Sequence, residues 1–194
     1  MTKTATVHIV DDDAGLRRSL GELLKGEGHT VALYETAQAF LKTEHDFRPG
    51  CIILDLRLPG MSGMEMHSAL LDRANHLPIL FLTGHGKVHT AVEAIKRGAI
   101  DFLEKPVDND VLVAKVRDAV NKSIPLMRRA EALSKLTARE HEFIPFLERK
   151  TPNKEIAHDL GISEKTVEFH KRNILEKLHK YEIRAIICTN FTKY

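Results

Sequence analysis

Five short apolar runs alternate with helical patterns from the start of the chain to about Lys122. The runs are TVHIV, TVALY, CIIL, PILFL and AIDFL, and leucines at helical spacing follow the first of them. Strands that alternate with helices in this way pack as a parallel sheet with helices on both faces. The sequence therefore predicts a doubly wound α/β domain with a five-stranded parallel sheet over residues 1–122.

Polar residues follow four of these runs. They are Asp11, Asp12 and Asp13 after the first, Asp55 after CIIL, Thr83 after PILFL, and Glu104, Lys105 and Pro106 after AIDFL. Ligands of doubly wound folds bind at the carboxyl ends of the strands, so we expect these residues to meet there. Carboxylates about 4 Å apart repel by roughly 4 kcal/mol per pair at an effective dielectric near 20, so the cluster needs a cation. An oxygen-only site suits Mg²⁺. Any one of these residues alone is more typical of a turn or a helix cap.

Several functional classes lack support in the sequence. No apolar run approaches the ~20 residues of a membrane span, and the opening MTKTATVHIV lacks a signal-peptide pattern. Cys51 and Cys188 have no metal-ligand spacing and fit a reducing cytoplasm, where we expect the protein. No glycine-rich nucleotide loop follows a strand, and no Ser/His or Cys/His arrangement indicates a hydrolase. We expect no ordinary enzyme.

The last third of the chain has helical patterns only. A segment with Pro125 and a basic cluster, residues 123–135, is the predicted linker. Beyond it, residues 136–194 are expected to form a small all-α domain of four helices. These run from Thr137 to about Lys150, from Asn153 to Leu160, from Glu164 to Leu178 and from about Glu182. The short turn at Gly161 is typical of a helix-turn-helix.

The third of these helices has one apolar face and one polar face that carries a phenylalanine. Val167, His170, Ile174 and Leu178 share the first face, and Lys165, Glu168, Phe169 and Arg172 share the second. In a DNA major groove, Phe169 can meet a thymine methyl while Arg172 reads guanine and Glu168 accepts from cytosine. Two alternatives stay open. Phe169 can instead pack under a neighbouring helix, and the excess of basic over acidic residues in 128–194 (14 against 10) is also typical of an ordinary solvated surface.

Four motifs resemble those of the response-regulator receiver domain of two-component signalling. They are VDD at Val10–Asp12, DLRLPGMSG at Asp55–Gly63, TGHG at Thr83–Gly86 and EKP at Glu104–Pro106. The resemblance implies the strand order 2-1-3-4-5 and a phosphoacceptor at Asp55. It also implies a Mg²⁺ site, with ligands from Asp11, Asp12, Asp55 and the Arg57 carbonyl. Contacts from Thr83 and Lys105 to the phosphoryl group, and an inward turn of Phe102, complete the implied switch. Lys87 departs from the acidic residue usual at its position.

Two further stretches resemble the LuxR-type DNA-binding domain. They are LTAREHEF at Leu136–Phe143 and the segment from Pro152 to Leu178. The resemblance makes Glu164–Leu178 the recognition helix. Its candidate phosphate contacts are Asn153, Lys154, Lys165, Thr166, Lys171 and Asn173. Lys150 replaces the usual helix-ending glycine, and Pro145 should kink or break the first helix.

Together, the two resemblances imply a transcription regulator of the NarL/FixJ type. The expected partners are a sensor histidine kinase, double-stranded promoter DNA, RNA polymerase and a second copy of the chain after phosphorylation. One alternative is a constitutive DNA-binding protein whose receiver serves only protein contacts. Another is a free-standing Mg²⁺-dependent phosphatase, which leaves the C-terminal domain unexplained.

Overall fold

The structure is a computed structural model that describes residues 4–43, 48–73, 75, 77–84 and 88–179. The chain divides into two compact units, one up to Met127 and one from Arg128 onward. Lys87 and the predicted helix from about Glu182 lie outside the described residues. Among the helices that are described, none has both the length and the apolar character needed to cross a membrane.

The first unit contains the predicted five-stranded parallel sheet. Its strands are β1 (Thr6–Val10), β2 (Thr30–Tyr34), β3 (Gly50–Leu54), β4 (Ile79–Thr83) and β5 (Asp101–Glu104). All neighbouring pairs are parallel and the order is β2-β1-β3-β4-β5, which confirms the expected topology. Every residue of β3 and β4 is buried, because a parallel sheet is covered on both faces.

Helices of this unit form two cores, one on each face of the sheet. The helices are α1 (Ala14–Gly26), α2 (Ala37–Leu41), α3 (Gly63–Asp72), α4 (Val88–Lys96) and α5 (Asn109–Leu133). Side chains of a strand point alternately to the two faces, so Cys51 and Ile53 join the core under α1 and α5. Ile52 and Leu54 join the opposite core, under α2, α3 and α4. Strands β1 and β3 are thereby fixed from both sides.

Helix α5 continues through most of the segment for which the sequence predicts a linker. Pro125 lies inside it, and the boundary between the two units falls between Met127 and Arg128. Two contacts fix this stretch on the first unit. The hydroxyl of the buried Ser123 accepts a hydrogen bond from the Gly50 amide at 2.9 Å, and the side chain of Met127 is buried in the core. The predicted linker is therefore helical as far as Leu133, and its first residues pack on the first unit.

The second unit is helical throughout its described part. After the end of α5 it has α6 (Ala138–His141), α7 (Ile144–Glu148), α8 (Asn153–Leu160) and α9 (Glu164–His179). The predicted helix from Thr137 to Lys150 is therefore broken in two, with Pro145 in the first turn of α7, where its missing N–H costs nothing. The predicted apolar face of α9 is confirmed, since Val167, Ile174 and Leu178 are buried.

Two residues in the left-handed region end helices of the second unit. Gly161 has φ 64° and ends α8, as the sequence predicts for the turn of a helix-turn-helix. Lys150 has φ 56° after α7, and among the described residues it is the one non-glycine residue with positive φ. A Cβ disfavours this conformation, so Lys150 adopts the geometry of a glycine at some cost in free energy.

Candidate functional sites: an acidic pocket and an exposed helix face

The carboxylates of Asp11, Asp12 and Asp55 meet at the carboxyl ends of β1 and β3. One oxygen from each lies within 4.8 Å of the others. Asp11 and Asp55 are buried, whereas Asp12 is exposed. The sheet brings them together, because Val10 pairs with Leu54 in register and the Asp55 amide donates to the Val10 carbonyl at 2.9 Å. The convergence predicted from the strand ends is therefore present.

The third carboxylate of the DDD run has a different task. Asp13 Oδ1 accepts hydrogen bonds from the amides of Gly15 and Leu16 at 2.8 and 3.0 Å, which makes Asp13 the N-cap of α1. These backbone hydrogen bonds lower the pKa of Asp13 below its usual value. Asp13 therefore stabilises the helix that follows the pocket, as is typical of an aspartate at this position.

Lys105 supplies the positive charge of the pocket. Its Nζ lies 2.6 Å from Asp11 Oδ2 and 3.6 Å from Asp55 Oδ1. Burial raises the pKa of Asp55 above its usual value, although the charge of Lys105 and a hydrogen bond with Thr83 act in the opposite direction. Lys105 therefore balances part of the charge that three close carboxylates concentrate in a poorly solvated place.

Thr83, Phe102 and Arg57 are the other residues of the first unit that the sequence singles out. Thr83 is the buried last residue of β4. Phe102 on β5 is half-buried, with its ring centroid 6.1 Å from that of Phe81. Arg57 follows the pocket in the loop after β3 and has an exposed side chain. Thr83, at the end of β4, and Lys105, just after β5, thus border Asp55. Phe102 lies within β5, two strands away from β3.

Gly63 is a residue of the site whose role the sequence alone does not reveal. A Cβ at this position would come within 2.2 Å of the Asp55 carbonyl oxygen. The Gly63 amide donates to the Leu56 carbonyl at 2.9 Å, and the neighbouring Ser62 and Glu65 form a capping box at the start of α3. The loop after Asp55 therefore returns so closely that only a glycine fits against the main chain of Asp55.

The side-chain atoms that line the pocket are of the kind that binds a hard divalent cation. Its ligand atoms are all oxygens, the preference of Mg²⁺, which combines one or two carboxylates with water. Asp55 Oδ1 is buried and accepts no hydrogen bond from any residue within the described part of the chain. Lys105, which pairs with Asp11 at 2.6 Å and lies 3.6 Å from this oxygen, compensates only part of its charge, and a buried ionised oxygen is costly unless a cation compensates it. The residues present therefore fit Mg²⁺.

The second candidate site is the polar face of α9. Lys165, Glu168, Phe169 and Arg172 are all exposed. Phe169 exposes 51% of its surface, and its ring meets the ring of His170 edge-on at 5.6 Å. Packing of Phe169 under a neighbouring helix is not seen among the described elements. His170 instead packs inward, with its ring 4.9 Å from that of the buried Phe143.

The predicted phosphate contacts flank this face. Asn153, at the start of α8, accepts a hydrogen bond from Lys171 Nζ at 2.9 Å, so the two side chains are coupled. The amide of Thr166 is capped by Ser163 Oγ at 3.1 Å. Lys154 is exposed, whereas Thr166 and Asn173 are half-buried. Lys154 is thus exposed to an external anion, as is Lys165 on the polar face of α9.

Two family models match the two units of the chain. The model of the response regulator receiver domain matches residues 7–117, and the model of bacterial regulatory proteins of the luxR family matches residues 134–189. The first covers more than half of the chain and the whole acidic pocket. A receiver joined to a LuxR-type DNA-binding domain defines a two-component response regulator that acts on transcription.

Individual relatives show which type of response regulator the chain is. The transcriptional regulatory protein FixJ of Azorhizobium caulinodans is 40% identical over 194 residues, with 96% of this chain and 92% of that protein covered. The tetrathionate response regulatory protein TtrR of Salmonella typhimurium is 34% identical over 186 residues, with 94% and 90% covered. The crystal structure of full-length FixJ from B. japonicum has a TM-score of 0.59 at 34% identity and covers 96% of this chain and 100% of that chain. The chain belongs to the response regulators of the NarL/FixJ type.

Proposed function

We propose that this chain is a transcription regulator whose DNA binding is controlled by phosphorylation of Asp55. The observation that carries the proposal is the placement of Asp55. Its carboxylate is buried within 4.8 Å of those of Asp11 and Asp12, and Lys105 Nζ lies 3.6 Å from it. A nucleophile held beside a cation and an oxygen-only metal site is the equipment that phosphoryl transfer requires.

In the proposed reaction, an Asp55 carboxylate oxygen attacks the phosphorus atom of a phosphohistidine on a sensor histidine kinase. The O–P bond forms as the P–N bond breaks, and the donor imidazole leaves. When Mg²⁺ is bound by Asp11, Asp12, Asp55 and the Arg57 carbonyl, it offsets the charge of the transferring oxygens. Lys105 and Thr83 then contact the phosphoryl group by an ammonium and a hydroxyl, and the receiver catalyses only its own phosphorylation and dephosphorylation.

The output of this switch is proposed to pass through the face that contains α4 and β5. New charge beside Thr83 biases a two-state element. Phe102, half-buried on β5, turns inward in the phosphorylated state. The chain then forms a homodimer that binds two half-sites of promoter DNA roughly one helical turn, ~10 bp, apart, where it meets RNA polymerase.

The polar face of α9 is proposed to read the DNA sequence. Arg172, Glu168, Phe169 and Lys165 are exposed side by side on one helix, as base contacts in the major groove require. The side chains proposed to fix the register on the phosphates are Asn153, Lys154, Thr166, Lys171 and Asn173.

Radiolabel transfer from a phosphodonor in the presence of Mg²⁺ tests the acceptor. The wild type and Asp13→Asn should both be labelled, because asparagine also caps a helix and Asp13 lies outside the carboxylate cluster. Asp55→Asn should lose the label. Labelling of Asp55→Asn at the wild-type level would exclude Asp55 as the acceptor.

Promoter binding with and without beryllofluoride tests the control of DNA binding. We expect the phosphoryl mimic to increase the affinity of the wild type and to leave that of Asp55→Asn unchanged. Equal affinities of the wild type in both conditions would support the constitutive DNA-binding protein instead.

A further inference from the structure

We infer that Arg17 is a positioning residue for the proposed metal site. It fixes the peptide group between Asp11 and Asp12, the two aspartates that follow β1. Arg17 lies in the first turns of α1, half-buried. Its Nη1 donates a hydrogen bond to the Asp11 carbonyl oxygen at 2.5 Å. That carbonyl belongs to the peptide unit between Asp11 and Asp12, so its orientation sets the direction in which the Asp12 side chain leaves the main chain.

The surroundings of Asp11 show why this hydrogen bond matters. The Asp11 amide donates to the Tyr34 carbonyl, Oδ1 accepts from the Asp13 amide at 2.9 Å and Oδ2 accepts from Lys105 Nζ at 2.6 Å. With the Arg17 hydrogen bond, every polar atom of Asp11 is occupied. Asp11 is therefore held on all sides within the first unit. The Asp13 amide closes a turn across Asp12, and the bond from Arg17 acts directly on the peptide group that joins Asp11 to Asp12.

Asp12 depends on this link more than the other two carboxylates do. It is exposed, and no hydrogen bond to its side chain from another described residue is found, whereas Asp11 and Asp55 are buried. Only the main chain directs the Asp12 carboxylate toward the cluster. Partners that orient metal ligands commonly contribute 10–100-fold to metal affinity.

The direction in which Mg²⁺ affinity changes when Arg17 is removed distinguishes a positioning role from a purely electrostatic one. Arg17 is a cation close to a proposed cation site, so its charge alone would repel Mg²⁺, and its removal would tighten Mg²⁺ binding. If Arg17 orients the Asp11–Asp12 peptide, its removal must weaken Mg²⁺ binding. The two accounts therefore predict opposite changes in the dissociation constant for the same substitution.

Arg18 provides a matched control. It has the same charge at the next position of α1, its side chain is exposed, and it has no hydrogen bond or ion pair within the described part of the chain. Arg17→Met and Arg18→Met remove the same charge and keep an unbranched side chain of helical propensity. Weaker Mg²⁺ binding by Arg17→Met than by Arg18→Met therefore reports the hydrogen bond to Asp11, because loss of the Arg17 charge alone would make binding tighter.

The test is a Mg²⁺ titration of the full chain followed by amide NMR shifts, without a phosphodonor. We expect the Mg²⁺ dissociation constant to rise about tenfold in Arg17→Met, to stay unchanged or fall slightly in Arg18→Met, and to be intermediate in Arg17→Lys, which keeps a donor. A dissociation constant that falls in Arg17→Met, or that matches Arg18→Met, would overturn the inference. If Arg17→Met does not fold, Arg17→Lys is compared with Arg18→Lys, and equal affinities would overturn it.

This inference rests on the proposed function, but its failure is distinguishable. If wild-type protein binds Mg²⁺ and is labelled on Asp55 while Arg17→Met behaves as Arg18→Met, only the role of Arg17 is wrong. If wild-type protein neither binds Mg²⁺ nor accepts the label, the proposed function is wrong and Arg17 has no metal site to position.

Discussion

Substitution of Lys177 by methionine should destabilise the second unit by leaving a buried carboxylate without its cation. Glu140, in α6, is 5% exposed, and its two carboxylate oxygens accept from Lys177 Nζ, in α9, at 2.8 and 2.7 Å. The Thr137 amide donates to Glu140 Oε2 at 2.7 Å, so the same carboxylate also caps α6. Methionine keeps most of the apolar stem of the lysine and removes only the charge and the hydrogen bonds.

The magnitude follows from the burial of the two partners. Breaking a fully buried ion pair costs about 3–5 kcal/mol, whereas an exposed pair contributes about 1 kcal/mol or less. The Glu140 side chain is 6% exposed but that of Lys177 is 38% exposed, so water screens one end of the pair. We therefore expect a loss of about 2 kcal/mol in the free energy of unfolding, which is roughly a 30-fold change in the equilibrium constant.

Native-state hydrogen exchange of the full chain measures this loss. The slowest amides of α8 and α9 should exchange roughly 30-fold faster in Lys177→Met at neutral pH. Arg139→Met is the control, because Arg139 pairs with Glu142 in the same unit with both side chains more than 40% exposed. This control should change the exchange rates by less than about fivefold, since exposed pairs contribute at most about 1 kcal/mol.

The destabilisation caused by Lys177→Met should decrease as the pH falls. Burial raises the pKa of the Glu140 carboxyl, but the hydrogen bonds from Lys177 and Thr137 outweigh burial and hold this pKa below its usual 4.5. A lowered folded-state pKa gives stability that is present above pH 4.5 and is lost as the pH falls through the folded-state value. The difference between wild type and Lys177→Met should therefore shrink below about pH 4.5. A Lys177→Met variant that exchanges like Arg139→Met at pH 7 would refute the reasoning.

Three further predictions concern single positions. Lys150→Gly should stabilise the second unit by about 1 kcal/mol in urea unfolding, because φ is 56° and the side chain is exposed; a loss of stability would contradict the strain. Gly63→Ala should reduce the rate of phosphoryl transfer at least ~10-fold, since a Cβ 2.2 Å from the Asp55 carbonyl must displace the site; an unchanged rate would show that the loop yields. Phe169→Ala should weaken promoter binding about tenfold in gel-shift titrations, while Glu176→Ala, also exposed on α9, should not weaken it; equal losses would remove Phe169 from the interface.

The sequence predicts the sheet and the acidic cluster well, because both depend on local pattern. Apolar runs define the strands, and parallel strands bring residues directly after them to one edge whatever the details of packing. The break of the first helix of the second unit was likewise indicated by Pro145. In these cases a short-range rule determines the result, and no other interaction opposes it.

Interactions between residues far apart in the sequence are less predictable. Pro125 indicates a linker, and the sequence does not show that α5 continues through it or that Ser123 and Met127 are buried. Nothing in the spacing distinguishes Arg17, which reaches back to Asp11, from Arg18, which does not. Glu140 and Lys177 are 37 residues apart, and their pairing depends on how two helices pack. The sequence also does not show which residues of the DDD run join the carboxylate cluster and which one, Asp13, caps α1.

The close fit of Gly63 against Asp55 limits how the pocket can respond to a new substituent. The Asp55 amide is bound to Val10 and its carbonyl faces the α carbon of Gly63, so neither end of the residue has room to move. A group added to the carboxylate must therefore be accommodated by the side chains opposite it, at the ends of β4 and β5. Asp55 is therefore held in place at its main chain, and any adjustment of the pocket to a larger group at its carboxylate has to come from Thr83 and Lys105.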